Sequence, residues 1–234
     1  MSDTPTVVLV HGAFADGASW EPVTRQLLDR GHPVRVLAGY NRGLLSDAAS
    51  VRLFVEQIDG PVVLAGHSYG GAVITIAGNA ENVRALVYVA GYVPEEGETI
   101  GQLQGRFPDS ALPPALRFAP NADGGTDASV DVDQFPDVFA IGVDRSTAEV
   151  LAVSQRPLAT GVFDEAVPTP AWKTTPGWGI VPARDRTINP DVERFGYERA
   201  GLRGVTELDA PHLVMYTHPR EVADVIETAL KSSS

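Results

Sequence analysis

The stretch from Val62 to Thr75 reads VVLAGHSYGGAVIT. A β-branched apolar run stops, Ser68 stands between Gly66 and Gly70, and a second apolar run resumes after Gly71. Glycine inside a regular element weakens it, so three glycines around one serine need a local reason. A strand over 61–65 turning sharply into a helix from about Gly70 supplies one. In the pattern Gly66-His67-Ser68-Tyr69-Gly70, G-x-S-x-G, the serine sits on a strained strand-to-helix turn with its side chain raised above the sheet edge. A Cβ two residues before or after it would collide with the turn. Gly71 is expected to let the helix pack close to the sheet. The helix N-terminus beneath the serine favours negative charge there.

The flanking chain supports a strand at this place. Short apolar runs recur at 6–10 (TVVLV), 33–38 (PVRVLA), 61–65 (PVVLA), 83–90 (VRALVYVA), 178–183 (WGIVPA) and 204–209 (GVTELD). None alternates strictly, which suits strands covered on both faces, hence a parallel sheet. Helical patterns lie between them at 20–31, 46–59, 70–80 and 218–231. Gly31 reads as the stop of the first, Ser46 as the N-cap of the second and Thr217 as the N-cap of the last. Alternation of strand and helix predicts a mostly parallel, doubly wound α/β sheet with right-handed crossovers. Residues 93–171 break the rhythm and are rich in Pro, Gly, Asp and Ala, with one fair helix at 145–155. A structureless loop of that length does not suit a compact domain. The expectation is one structural domain: a core from 1–92 and 172–234, and an inserted cap of short helices at 93–171.

Bulk composition narrows the function. The 234 residues carry 30 acidic against 18 basic side chains, a formal charge of −12. That argues against nucleic-acid binding, which needs a basic footprint, and against anionic membrane surfaces. Hydrophobic residues at 44% and charged residues at 21% describe a globular chain. Cysteine is absent, so disulfides, zinc–thiolate sites and cysteine nucleophiles drop out, and a cytoplasmic setting is expected. MSDTPTVVLV lacks the basic start and apolar length of a secretory leader, and no run approaches a membrane span. The sequence leaves self-association into a homo-oligomer open.

The pentapeptide alone recurs by chance, so its meaning rests on three companions. VLVHGAFADGASW (8–20) runs from a strand into a loop, where the N–H of Ala13, with that of Tyr69 behind Ser68, would form an oxyanion hole. Gly12 lets that backbone approach, and His11 reads as structural. His212 lies on the loop after the last strand, within reach of a serine at the top of the sheet. His218 competes but reads as a helix start, His67 is expected to point elsewhere, and His32 lies at the opposite edge. Asp185 follows the strand 178–183, with Asp209 and Asp164 as rivals, and Arg184 and Arg186 are expected to keep it ionised. Ser68, Asp185 and His212 then occur in the chain order of a serine triad on this type of sheet.

These stretches, with VRALVYVAGYVP, WGIVPARDRTINPD and LDAPHLVMYTHPREVADVI, make the sequence similar to the α/β-hydrolase superfamily. More narrowly it resembles the cofactor-free group of plant methyl-ester esterases, hydroxynitrile lyases and their bacterial esterase relatives. The resemblance covers nearly the whole chain, the insertion only in position and length. It implies an α/β-hydrolase fold and a serine esterase acting on small, fairly apolar carboxylic esters, with no metal or organic cofactor. In the lyase branch a threonine follows the first-strand histidine and a lysine follows the catalytic histidine. Here those positions hold Gly12 and Leu213, which favours the esterase. A ligand-binding receptor on the same fold is a further alternative, disfavoured by the complete set of triad candidates. Phe14, Trp172 and Leu213 are the pocket candidates. Phe107, Phe118, Phe135, Phe139 and Trp178 are equally readable as core.

Overall fold

Residues 4–232 are described by a computed structural model. The expected core ends at 1–3 and 233–234, and with them the first residues of the leader reading, lie outside this range. Strand β1 (Thr6–Val10) leads through a 3₁₀ turn into α1 (Glu21–Asp29), followed by β2 (Val34–Leu37), α2 (Leu44–Glu56), β3 (Val62–His67), α3 (Tyr69–Ala77) and β4 (Val83–Val89). Next come α4 (Ile100–Gln104), β5 (Leu116–Pro120), β6 (Thr126–Val130), α5 (Phe135–Val138), α6 (Arg145–Val153) and β7 (Leu158–Ala159). The chain closes with β8 (Gly177–Pro182), α7 (Pro190–Arg199), β9 (Gly204–Leu208), α8 (Val214–Thr217) and α9 (Pro219–Lys231).

Six strands form one parallel sheet in the order β2-β1-β3-β4-β8-β9. All six residues of β3 and of β8 are buried, as expected of strands covered on both faces. The edges β2 and β9 are partly exposed. From β1 the chain moves outward to β2, then returns to place β3 on the other side of β1. This reversal makes the carboxyl ends of β1 and β3 a topological switch point, where the connections diverge and leave a crevice. Ser68 and the loop carrying Ala13 leave the sheet at that point.

Two helix starts differ from the sequence reading. Helix α2 begins two residues before Ser46, with Gly43 as N-cap, and the Glu165 carboxylate accepts the free N–H of Leu45 at 2.9 Å. The Ser46 hydroxyl donates to Gly43 O instead. Thr217 ends the short α8, and His218 is the boundary residue of α9. Helix α7 carries no apolar stripe that would announce it. Its signals are Asn189, whose Oδ1 accepts the Asp191 N–H at 3.0 Å, Pro190 at the first turn, and two early acidic residues.

The 93–171 segment contains short helices and also the antiparallel sheet β5-β6-β7. Its β5–β6 hairpin turns on Asn121-Ala122-Asp123-Gly124-Gly125. Gly124 is at φ +81°, and Asn121 Oδ1 accepts the N–H groups of Asp123 and Gly125. That turn signal is in the sequence, but β5 is almost wholly exposed and β6 mixes polar with apolar residues, so the strands themselves are not evident from the apolar pattern. The segment is tied to the loop before α2: Arg42 reaches Asp127 at 2.8 Å and Pro157 O at 2.7 Å. Among the described residues no helix is long and apolar enough to cross a membrane.

Candidate active site

Ser68 sits between β3 and α3 at φ 54° and ψ −121°, a conformation that costs a non-glycine residue on the order of 1–3 kcal/mol. The surrounding structure holds it there. Its N–H donates to Val89 O, and its carbonyl accepts from Gly71 and Tyr92. The glycines can now be read individually. A Cβ on Gly66 would lie 2.3 Å from Gly70 O. One on Gly70 would lie 2.7 Å from the carbonyl oxygens of Val10 and His11, so this glycine serves the approach to β1 rather than the turn. One on Gly71 would lie 2.8 Å from Tyr92 O, at the end of β4.

Of the two expected oxyanion donors, Tyr69 follows this serine directly, and Ala13 follows Gly12, whose backbone packs against Ser68. Tyr69 opens α3, so its N–H has no intrahelical acceptor. Its ring is fixed by a 2.9 Å bond from the hydroxyl to Asp47 Oδ2, and Asp47 also accepts the Arg42 N–H. Burial raises the Asp47 carboxyl and pushes the Tyr69 phenol far up, so the phenol stays protonated. On the other side, His11 Nε2 accepts the Gly39 N–H at 2.8 Å, which leaves Nδ1 to donate to Gly12 O at 2.8 Å. His11 therefore anchors the loop that presents Ala13. Burial holds its pKa down. Gly12 does allow the expected close backbone approach: a Cβ there would stand 2.8 Å from Ser68 Cβ and 3.1 Å from His67 Nδ1.

Asp185 and His212 meet across the ends of β8 and β9. His212 Nδ1 and Asp185 Oδ2 are 2.5 Å apart, with both side chains shut off from solvent. Asp185 Oδ1 accepts the N–H groups of Thr187 at 2.7 Å and Ile188 at 3.0 Å. These amides, not the flanking arginines, hold the carboxyl. Arg184 turns outward to Asp209 at 2.6 Å, and that exposed ion pair removes Asp209 from the site. His212 Nε2 is buried without a partner, free to take a proton from an incoming group. His218 bonds only its neighbour Thr217, and His32 is held by Glu227 at 2.8 Å on the far edge.

His67 does not point away, as the sequence reading had it. Its ring centroid lies 4.6 Å from that of His212, and its Nε2–H donates to His212 O at 3.1 Å. Burial, and then the neighbouring His212, depress its pKa far below the usual range, so it stays neutral. A neutral His67 locks the backbone of His212 and leaves one cation position at the site.

Two cavities share Phe14, the residue after Ala13, in their walls, and neither is lined by Ser68 or His212 themselves. One, of about 150 Å³, is bounded by Phe14, Phe135, Phe139, Leu151 and Leu213. The other, of about 410 Å³, is bounded by Phe14, Tyr92, Leu112, Phe118 and Phe163 among others. Phe139 also sets its ring edge against His212 at 5.1 Å. Trp172 lines neither cavity. Its indole N–H donates to Pro94 O and its face carries the Lys173 ammonium. Phe107 packs on Phe195 and Trp178 lies buried in β8, away from both cavities. Among the described residues no group of three or more His, Asp or Glu is arranged to hold a metal ion.

Comparison with known proteins agrees with this architecture. A sequence model described as "Alpha/beta hydrolase family" matches residues 7–225. The carbendazim hydrolyzing esterase of Nocardioides sp. is 28% identical over 93% of this chain and 96% of its own. Lipase LipV of Mycobacterium tuberculosis is 26% identical over 96% of this chain and 92% of its own. Among solved structures, polyneuridine aldehyde esterase superposes with a TM-score of 0.82 at 18% identity, covering 96% of this chain and 98% of that one. A pyrethroid hydrolase from Sphingobium faniae reaches 0.79 at 20% identity, covering 97% and 98%. The chain belongs to the alpha/beta hydrolase family and has its fold.

Proposed function

We propose that the protein is a serine esterase that cleaves small, largely apolar carboxylic esters through an acyl-enzyme on Ser68. The observation that carries this reading is the buried Asp185–His212 pair, with His212 Nε2 unpartnered, at the same sheet edge as a serine held at positive φ. His212 takes the Ser68 proton as Oγ attacks the ester carbonyl. The N–H groups of Ala13 and Tyr69 receive the developing oxyanion. Collapse expels the alkoxide, which leaves with the proton from His212. Water, deprotonated by His212, then attacks the acyl-enzyme, and the acid departs as Ser68 regains its proton. Asp185 keeps the imidazole in the required tautomer.

The names of the relatives, esterase and lipase, support ester hydrolysis. The lining of the two cavities supports apolar substrates. Residues 93–171 act as the cap in this reading, because Phe135 and Phe139 from that segment line the smaller cavity and the Phe139 ring packs against His212. Leu213 is buried in the wall of that cavity and brings no charge to a departing cyanide, which favours the esterase over a cyanohydrin lyase. A panel of p-nitrophenyl and methyl esters of graded acyl length tests the proposal. Turnover of acetate or butyrate esters that Ser68→Ala abolishes, with no cleavage of mandelonitrile, is the expected result. Release of benzaldehyde from mandelonitrile that depends on Ser68 would overturn it.

A further inference from the structure

A carboxylate has about four acceptor positions on its two oxygens. Three of those on Asp185 are filled, by the N–H groups of Thr187 and Ile188 and by His212 Nδ1–H. The carboxyl of Glu193 faces the same group from the inner side of α7. Glu193 is 1% exposed, and among the described residues no N–H or O–H donor reaches either of its oxygens. As an anion it would be a buried charge with no donor, beside a second negative charge, a state costing several kcal/mol. As a carboxylic acid it brings its own donor, and Asp185 is the acceptor in front of it.

We propose that Glu193 is held as a neutral carboxylic acid whose O–H donates to Asp185, completing its set of hydrogen bonds and fixing the oxygen that holds His212. Glu193 is thus a positioning residue, and its role rests on the reading of Ser68, His212 and Asp185 as the reacting centre. The surroundings agree. The Tyr92 hydroxyl, on the loop after β4, donates to Gln104 Oε1 at 2.7 Å, and the Tyr197 hydroxyl, on the same helix as Glu193, accepts the Gly91 N–H at 2.9 Å, so neither bonds Glu193. Both phenols are buried and kept protonated. Glu207 on β9 adds negative charge from the outer side. Arg194, next in α7, is turned to the surface, where it bonds Asp191 at 2.7 Å and Glu207 at 2.6 Å. Burial, and after it the charge of Asp185, press the Glu193 carboxyl well above the usual range. Asp185 alone then carries the negative charge that His212 meets.

The two protonation states make opposite predictions for Glu193→Gln. A glutamine N–H can replace the acid O–H without changing the charge. The midpoint of the His212 titration, read by NMR of the ¹³C-labelled imidazole, should then agree with wild type within about 0.3 pH unit. Glu193→Leu leaves Asp185 short of a donor, so it draws harder on the imidazolium, and the midpoint should rise by about half a unit or more. The same order is expected in kcat/KM for a p-nitrophenyl ester: a fall of about tenfold or more in Glu193→Leu, carried by kcat, and partial rescue by glutamine. A midpoint that falls by about one unit in Glu193→Gln would mean an anion had been removed, and overturns the proposal. Midpoints alike in all three proteins would also overturn it, because a merely structural glutamate leaves the titration unmoved. Should Glu193→Leu not fold, the infrared C=O band of a protonated carboxylic acid at neutral pH decides: present in wild type and lost in Glu193→Gln, or absent and the proposal fails. The NMR and infrared readouts need no turnover. Failure of all esters with these signatures intact would reject the esterase reading alone, and Ser68-dependent turnover without them would reject the role of Glu193 alone.

Discussion

His67 should make the protein sensitive to mild acid through a proton that the folded state refuses. The perturbation is a shift from pH 7.5 to 5.0, in wild type and in His67→Gln, whose amide N–H can still reach the His212 carbonyl. In the unfolded chain His67 titrates near its ordinary value of 6.5. In the fold, burial and the adjacent His212 ring depress it far below that. A second ring proton would also lack a partner, since His67 Nδ1 is buried with none. Below pH 6.5 the unfolded state therefore binds one proton more than the fold. The stabilisation is present above pH 6.5 and is lost as pH falls through that value, until the depressed folded pKa is reached. At 1.36 kcal/mol per unit, the 1.5 units between 6.5 and 5.0 correspond to about 2 kcal/mol. Urea unfolding followed by tryptophan fluorescence reads this as a double difference. His11, Asp47 and Glu193 contribute equally to both proteins and cancel. Wild type should lose about 2 kcal/mol more than His67→Gln over this interval. Equal losses would show that His67 takes up its proton in the folded state, and the argument that it is a locked neutral support for His212 would fail.

Further outcomes follow from the same geometry. Asp185→Asn should lower kcat by about 10⁴-fold by favouring the wrong imidazole tautomer, on the model of a serine protease. Asp209→Asn should leave esterase rates near wild type; a large loss at Asp209 instead would move the acid to the outward-facing pair with Arg184. Gly12→Ala should cut turnover sharply in a protein that still folds, because the new methyl meets Ser68 Cβ at 2.8 Å, and wild-type kinetics would show that the elbow can yield. Phe139→Ala should extend the tolerated acyl chain by enlarging the 150 Å³ cavity, at a stability cost of about 3–5 kcal/mol read by urea unfolding. An unchanged chain-length profile would remove that cavity from the substrate site.

Strands β1, β3 and β8 were legible because buried parallel strands are continuous apolar runs, which stand out within otherwise mixed sequence. The serine turn was legible because close backbone approach admits only glycine at 66, 70 and 71. What stayed hidden has equally physical causes. Helix α7 has an interior glycine, which packs against Val93, and its buried face includes a charged residue, Glu193. A polar face turned inward reads as solvent-facing until its partner, Asp185, is seen. The hairpin β5–β6 is half exposed and short of β-branched residues. The direction of His67 depends on where the loop after β9 lies, which one strand's sequence does not carry. Trp172 stands near the expected end of the cap, but its N–H is committed to Pro94 O, and a long-range bond of that kind leaves no local signature.

The most direct test of the central claim is covalent. The native protein is incubated with a serine-directed phosphonate, digested and mapped by mass spectrometry. The account predicts one added group, on the peptide containing Ser68, with loss of ester hydrolysis in step with labelling and no label in Ser68→Ala. Labelling at another serine, or full hydrolysis in a protein whose Ser68 is blocked or replaced, would contradict it.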